Sequence, residues 1–534
     1  MNAPTSSTTH DCDLLVVGSG ASGMSCAITA AKLGLKVLLV EKEPRFGGTT
    51  ARSGGWLWVP GTHMAREQGI AEEPGAARAY LQDQATTHFD AGRVDAFLAN
   101  GPRAIEFFTR TTCLRFDLHP QFPDYHAEAP GGSTGGRSMV ARPFDARALG
   151  ERVKLLAPPL PELTVFGMMI GSGKDLWHFV RAFRSFESFA YVGRRFGRHL
   201  LDVLVHGRGM TLANGNALAG RLGSALFEAG VPLWLSSRVT QLLHEGEGAQ
   251  ARIAGARVRT PEGEVTVKAR RGVVLACGGF PHDAERRARL FPHCARGQDH
   301  VTPSPPGNTG DGLRLGESAG GVVDPTIAQP AAWTPTSVVP RRDGSVGVMP
   351  HFIDRAKPGV IAVDARGRRF TNEANSYHDF IQAVFKACEG QPEMGAWLVC
   401  DHRNLRNYGL GGVAPFPMPY RRHVRSGYLR TARTIEALAT AIGVPTASLR
   451  QTVDAWNADA ARGHDTAFGK GDTVYNRFQG DSQNLPNPCL VPIQHGPFHA
   501  VRVVVGDIGT FAGLSTNAGT RVLRGDGQPI AGLF

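Results

Sequence analysis

The sequence predicts an α/β protein: a Rossmann-like dinucleotide-binding domain carrying an inserted α+β cap domain. Three observations lead there. The first forty-two residues spell a strand, a glycine loop, a helix and a second strand; apolar strands separated by glycine turns follow later; and the chain is 534 residues long. That length exceeds what one hydrophobic core supports, so at least two domains are expected.

The elements follow in order. Residues 13–18, DLLVVG, are a short run of valine and leucine that reads as a buried strand. GSGASGMSCAITAAKLG is small and helix-compatible, and KVLLVEK is the second strand, completing a β-α-β unit of about thirty residues. SSRVTQLLHE, ARIAGARVRT and GEVTVKA read as antiparallel strands divided by EGEG and PEG turns, and RRGVVLACGG as a further buried strand. Within 421–460, two helices are expected with the break at Gly443-Val444-Pro445, where proline opens the second. In Lys174 to Val205, Phe179, Phe183, Phe186 and Phe189 recur at helical spacing among arginines. That pattern predicts a core-facing helix with a solvated basic face. A surface helix meeting anionic lipid or an apolar substrate is the alternative.

Composition narrows the function. Apolar residues make up 42% and charged residues 20%, an ordinary globular balance, and 66 glycines suit many tight turns. The net charge of +11 is scattered, without zinc-finger spacing or an RNA-recognition signature, so no nucleic-acid partner is expected. None of the eight cysteines forms a C-x-x-C pair, which argues against a metal site or a dithiol centre and for reduced thiols. The N-terminus is polar, and no apolar run reaches ~18 residues. A cytoplasmic location is expected, with peripheral membrane contact through 174–205 as the alternative.

The motif VVGSGASG places Gly18 at the turn out of the strand. Gly20 stands where the backbone must approach a pyrophosphate, and Gly23 where the helix packs close. Glu41 ends the next strand, where a carboxylate holds ribose hydroxyls. FGGTTARSGG, Phe46 to Gly55, then adds a second glycine-rich loop that can bring amides to a far phosphate and a flavin. No second dinucleotide fingerprint appears, so the electrons are expected to pass to or from a diffusible acceptor or redox partner.

GSGASG, the Glu41-Lys42 pair, GGTTARSGGWLW, GVVLACGGF and GNTGDGLRLGESAGG occur in that order. Together they resemble the FAD-dependent flavoproteins of the fumarate reductase and 3-ketosteroid dehydrogenase superfamily over nearly the whole chain. The resemblance implies a glutathione-reductase-type FAD-binding domain over 1–330, a cap over 331–490, and a return to the first domain over 491–534. It implies FAD lined by Ser22, Lys42, Gly48, Thr49, Thr50, Ser53, Gly54, Gly55, Ala276 and Gly278. Glu41 would sit on the adenosine ribose, Val239 by the adenine and Asp311 along the ribityl chain.

The same resemblance separates two directions of chemistry. Members like fumarate reductase carry an arginine on the fourth residue after Asn-Glu and a histidine in a His-Pro-Thr setting. In GRRFTNEANSYHDF that fourth residue is Tyr377, and DPTIAQPAAWTPTS has no histidine. Members like 3-ketosteroid Δ1-dehydrogenase have tyrosine there and a second tyrosine that matches Tyr125 in QFPDYHAEAPGG; the match continues through GRSMVARPFD. Tyr377 is then the base that takes the alpha proton of a ketone, and Tyr125 its hydrogen-bonded neighbour. His378 is read as a bystander. An unperturbed phenol titrates near ~10, so the site is expected to lower it. The substrate implied is a steroid or similar hydrophobic cyclic ketone. The family continues past GLF with a glycine-rich segment that closes over the flavin, whereas this sequence stops at Phe534, so the return domain is expected to be cut short. An enoate reductase of the fumarate-reductase kind and a truncated, non-catalytic flavin-binding protein are the alternatives.

Overall fold

The computed structural model of the chain describes residues 8–180, 182, 185–246, 251–297, 300–324, 326–391 and 393–534. Thr8–Val17 pairs in parallel with Val37–Val40 on one side and with Gly263–Leu275 on the other. Leu233–Trp234 extends this sheet beyond Val37–Val40, and Arg252–Thr260 and Arg238–Glu245 close the far edge as antiparallel strands. GEVTVKA and RRGVVLACGG, expected as separate strands, form one. Val265–Ala269 and Gly272–Leu275 both run along the first strand, with a register shift between Cys12 and Leu14 taking up the irregularity. Of the expected EGEG turn, residues 247 and 248 lie outside the described residues.

The helix Ala21–Lys32 starts directly after Gly20 and buries Met24, Ala27 and Ile28. Beside it runs Asn214–Glu228, small and almost wholly buried. Its Gly223 allows close approach: a Cβ there would stand 2.5 Å from the Phe46 ring.

A second six-stranded sheet is antiparallel and centred on Phe498–Thr510, which pairs with Ala331–Pro340, Gly395–Asp401 and Leu429–Ala432. This strand, within the 491–534 stretch expected to rejoin the first domain, supplies the middle of the second sheet. The chain returns to the first sheet at its last residues, where Leu533 bridges Val273 and the Leu275 N–H donates to the Phe534 carbonyl at 2.7 Å. The expected helix pair appears as Ile435–Ile442 and Thr446–Arg462, with Gly443 left-handed at φ 74° between them.

The second domain fixes the loop before Tyr377 with buried charge. Arg369 reaches Glu373 at 2.9 Å and Asp465 at 2.8 Å, and Lys470 stands 3.5 Å from the other Glu373 oxygen. Arg355 donates to the carbonyls of Glu373 at 2.6 Å and Asn375 at 3.2 Å. The helix Tyr377–Ala387 then begins at Ser376, whose hydroxyl accepts from the Asp379 N–H.

Burial alone would raise the Glu373 pKa, but Arg369 and Lys470 hold it below the usual carboxylate value. A carboxylate lowered on folding adds stability above its unfolded pKa and loses it as pH falls through the folded one. Removing one member of such a network leaves buried charge uncompensated, at a cost of about 3–5 kcal/mol. Glu373→Gln should therefore lower the unfolding free energy by that order at pH 7 in urea titrations. The deficit should shrink as pH drops below the carboxylate range; a pH-independent deficit would show that the charge is not what matters.

Candidate active site

The glycine loops form an open cradle. Gly18 is left-handed at φ 104°, and a Cβ there would meet the Ala276 carbonyl oxygen at 2.3 Å; one at Gly23 would meet the Gly18 carbonyl at 1.8 Å. At Gly20 the nearest atom to a Cβ would be Thr50 Oγ1, 3.8 Å away, and at Gly48 it would be Gly20 Cα, 3.9 Å away. Bare backbone from the two loops thus flanks one space at the helix N-terminus, and Ser22 is exposed in that first turn. Thr50 Oγ1 ties the loops together by accepting from the Ala21 N–H at 2.9 Å. The second loop, Gly48–Arg52, is a short 3-10 turn held by the neighbouring helix. Gly215 N–H donates to the Ser53 carbonyl at 3.0 Å, and Asn216 to the Ala51 carbonyl at 3.2 Å. Ser53 Oγ accepts from the Gly55 N–H, and Gly54 lies against Trp56.

Glu41 is buried and accepts from the Ser19 N–H at 2.9 Å, the Ser19 hydroxyl at 2.6 Å and the Glu43 N–H at 3.0 Å. A carboxylate has about four acceptor positions, so it can still take a ribose hydroxyl. Val239 has its side chain in the sheet core and pairs with Val258 in the antiparallel ladder. Asp311 is held by three cations. It pairs with Lys42 at 2.9 Å, with Arg238 at 3.1 Å and with Arg314, beside Glu41 and Val239. These cations occupy its oxygens. Asn308, which the sequence did not single out, lies by Gly278 and donates to Thr49 Oγ1 at 2.7 Å. The open cradle and the acid beside it fit FAD.

Across the cleft the two tyrosines meet. The Tyr125 hydroxyl donates to the Tyr377 oxygen at 3.3 Å, with ring centroids 5.6 Å apart. Tyr475 packs on Tyr125 at 5.1 Å and Phe352 on Tyr377 at 5.5 Å. An aromatic wall continues from Phe478 to Phe122, Trp56 and His119, at 5.0, 4.5 and 4.5 Å between successive rings. Tyr475, Phe352 and Phe478 carry no motif in the sequence; only their position in the fold reveals them.

Both residues flanking Tyr125 are anchored. Asp124 accepts from Trp58 Nε1 at 2.7 Å, pairs with buried Arg137 at 2.6 Å, and accepts from the Ser133 N–H at 3.0 Å. His126 reaches Asp379 at 2.9 Å, two residues beyond Tyr377. Hydrogen bonding to Asp379 raises the His126 pKa. Burial opposes ionisation of Asp379, but His126 and Ser376 hold its pKa below the usual value.

The expected lowering of the Tyr377 pKa is not what the protein alone provides. Burial raises it, and the Tyr125 hydrogen bond pulls part of the way back. Tyr125 itself is pushed well above 10 by burial, by Tyr377 and by Tyr475. The difference has a simple cause: among the described residues no charged side chain acts on Tyr377, so the phenol lacks the cation the expectation assumed. His378 rests near Phe511, 6.2 Å between rings, with its pKa lowered by burial.

A two-loop FAD cradle together with a hydrogen-bonded phenol pair defines a flavin-dependent oxidoreductase. Residues 13–534 match the FAD binding domain family model, and the chain belongs to that family. It is 40% identical, over 98% of its own length and 88% of the relative's, to 4-oxocyclohex-2-ene-1-carboxylate 5-dehydrogenase of Sinomonas cyclohexanicum. It is 35% identical, over 99% and 92%, to 3-oxosteroid 1-dehydrogenase of Mycobacterium tuberculosis. Among solved structures it resembles 3-ketosteroid Δ1-dehydrogenase of Sterolibacterium denitrificans, in complex with 1,4-androstadiene-3,17-dione. The TM-score is 0.89 and the identity 33%, covering 98% of this chain and 93% of that one. The protein is an FAD-dependent dehydrogenase of the branch that desaturates a carbon–carbon bond alpha,beta to a ketone.

Because Asp379 and His126 join the two tyrosine-bearing segments, Asp379→Asn should loosen the alignment without touching the cradle. About a 10-fold loss in kcat is expected, with KM and flavin absorbance near wild type, in steady-state assays with an artificial acceptor. A change in KM alone would show that the pair does not position the tyrosines.

Proposed function

We propose that Tyr377 is the base of this dehydrogenase, that Tyr125 polarises it, and that the substrate is an uncharged hydrophobic cyclic ketone of the 3-ketosteroid kind. The single observation that supports this is the direction of the Tyr125–Tyr377 hydrogen bond: Tyr125 donates, so a phenolate at Tyr377 is the form it favours. Tyr377 also opens the helix Tyr377–Ala387, whose N-terminal dipole favours negative charge at that end. Its oxygen takes the proton from the carbon alpha to the ketone. FAD, when bound, supplies the acceptor for the hydride that leaves the beta carbon. Gly18, Gly20, Glu41, Gly48, Thr49, Thr50 and Asn308 would hold that cofactor, with Lys42 and Asp311 at its adenosine end. The aromatic wall excludes water and holds an apolar ring system against Tyr377. Electrons then leave to a diffusible acceptor or redox partner, since the sequence has no second dinucleotide fingerprint.

The 40% identical relative acts on a ring that carries a carboxylate, which makes an oxocyclohexane carboxylate the second reading. The wall favours the uncharged ketone. Burial lowers the pKa of His119, so its imidazole is neutral at pH 7 and gives a carboxylate no partner. The deciding assay compares a 3-ketosteroid, 4-oxocyclohexanecarboxylate, and fumarate with reduced dye. A kcat/KM at least 10-fold higher for the steroid is expected. Preference for the carboxylate would reverse the substrate assignment, and fumarate turnover would reverse the direction of the reaction.

Two further outcomes follow for the base. Tyr377→Phe should lower kcat by about 10²–10⁴-fold while flavin absorbance is retained. Because the Tyr377 pKa is raised, the phenolate fraction grows throughout the neutral range, so kcat/KM should climb with pH past 9. A profile flat from pH 6 to 9 would argue against a phenolate base.

A further inference from the structure

The helix Phe186–His206 is turned inside out. At 3.6 residues per turn, Ser188, Tyr191, Arg195, His199 and Asp202 share one side and Phe186, Leu200, Leu201 and Leu204 the other. The side facing the protein is the polar one: Ser188 is 0%, Asp202 2% and His199 6% exposed. Asp202 is held by Arg147 and by the Met210 N–H at 3.0 Å. Asp175 receives Arg195 at 3.2 Å and the Tyr191 hydroxyl at 2.9 Å, and His199 donates to the Phe166 carbonyl at 3.0 Å. The apolar side faces solvent, with Phe186 87%, Leu201 63%, Leu204 82% and Val205 73% exposed. Over Phe186–His206 the expectation of a core-facing helix with a solvated basic face is thereby overturned, since buried ion pairs fix the polar side inward; Phe183 lies outside the described residues. Water opposes this arrangement, because burying the leucines instead would be favourable by about 1.5–3 kcal/mol each.

We propose that this face docks on an anionic lipid surface. Charge selects that occupant. Lys174 to Arg208 carries seven lysines and arginines against three acids. Two of those acids, Asp175 and Asp202, are buried in the pairs above, and the third, Glu187, lies in the first helical turn. Arg194 and Arg198 are exposed beside the apolar side, Arg198 sharing Asp145 with Arg147. An apolar strip flanked by arginines lies in the headgroup boundary of a membrane, with its leucines among the acyl chains. A symmetric pairing of two copies would instead bring like charges together. Among the described residues no helix is long and apolar enough to cross a membrane, so the contact is peripheral. The segment is also fixed at the rim of the aromatic wall, since a Cβ at Gly173 would stand 3.1 Å from His119 Cε1. An apolar ketone dissolved in lipid is therefore offered next to the cleft.

Flotation of the FAD-loaded full chain tests this, using phosphatidylcholine vesicles with and without 30% (about one lipid in three) phosphatidylglycerol, alongside sedimentation equilibrium without lipid. The wild type should float with the anionic vesicles, with the bound fraction falling at high salt. The double substitution Leu201→Glu, Leu204→Glu should reduce binding at least 10-fold, and Arg194→Glu should remove the preference for anionic lipid. Flavin absorbance and turnover of a soluble ketone should match wild type in both, which separates lost docking from misfolding. Absence of wild-type flotation, or binding unchanged by the double substitution, would overturn the proposal. So would a dimer that the double substitution dissociates, which would assign the face to a second copy.

Discussion

One hydrogen bond organises the molecule: the Tyr125 hydroxyl donates to the Tyr377 oxygen at 3.3 Å across 252 residues of sequence. Neither tyrosine holds the other by itself. A single exposed contact of that length contributes little to stability, so the surrounding structure must impose it. Asp124 fixes Tyr125 from one side through Trp58 and Arg137, and His126 fixes it from the other through Asp379. Tyr377 is set by the helix cap at Ser376 and by Arg355, which draws the Glu373 and Asn375 carbonyls together beneath it. Buried charge is spent on geometry here, and the geometry is where chemistry is done.

The same enclosure creates the tension in the site. Burial that excludes water also disfavours the phenolate, and it raises the pKa of Tyr377 above its usual value. The Tyr125 hydrogen bond to the Tyr377 oxygen offsets part of that rise, while Tyr125 is itself a weaker acid, through burial first and through Tyr377 and Tyr475 beside it. Under the proposed mechanism the two phenols take different roles, Tyr377 accepting a proton and Tyr125 remaining a hydrogen-bond donor.

Much of this was readable from residues. Gly18, Gly20, Gly23 and Glu41 sit where their spacing required, because a tight turn and a close helix allow few alternatives to glycine. Tyr125 and Tyr377 were found through motif resemblance. The 3.3 Å contact could not have been, since nothing local in either segment encodes the other. The ion pairs of Asp311 were hidden for a related reason: its neighbours Lys42 and Arg238 come from distant parts of the sequence. Within GRRFTNEANSYHDF, Asn372 and Glu373 are buried and the Arg369 side chain nearly so, held in hydrogen bonds and ion pairs inside the second domain. The sheet that Phe498–Thr510 joins was not legible, because strand periodicity shows a strand but not which sheet receives it. The helix Phe186–His206 shows the limit of periodicity most clearly. Its pattern is amphipathic in either orientation, and only Arg147 and Asp175, outside the helix, reveal which side faces inward.

The most direct measurement is the ionisation of Tyr377, read as the 295 nm (about the phenolate maximum) difference titration between proteins with tyrosine and phenylalanine at 377. It should be made with Tyr125 present and again with Tyr125→Phe. Loss of the donor is expected to move the Tyr377 midpoint to higher pH. A midpoint that stays in place, or moves down, would contradict a base tuned by its neighbour's proton.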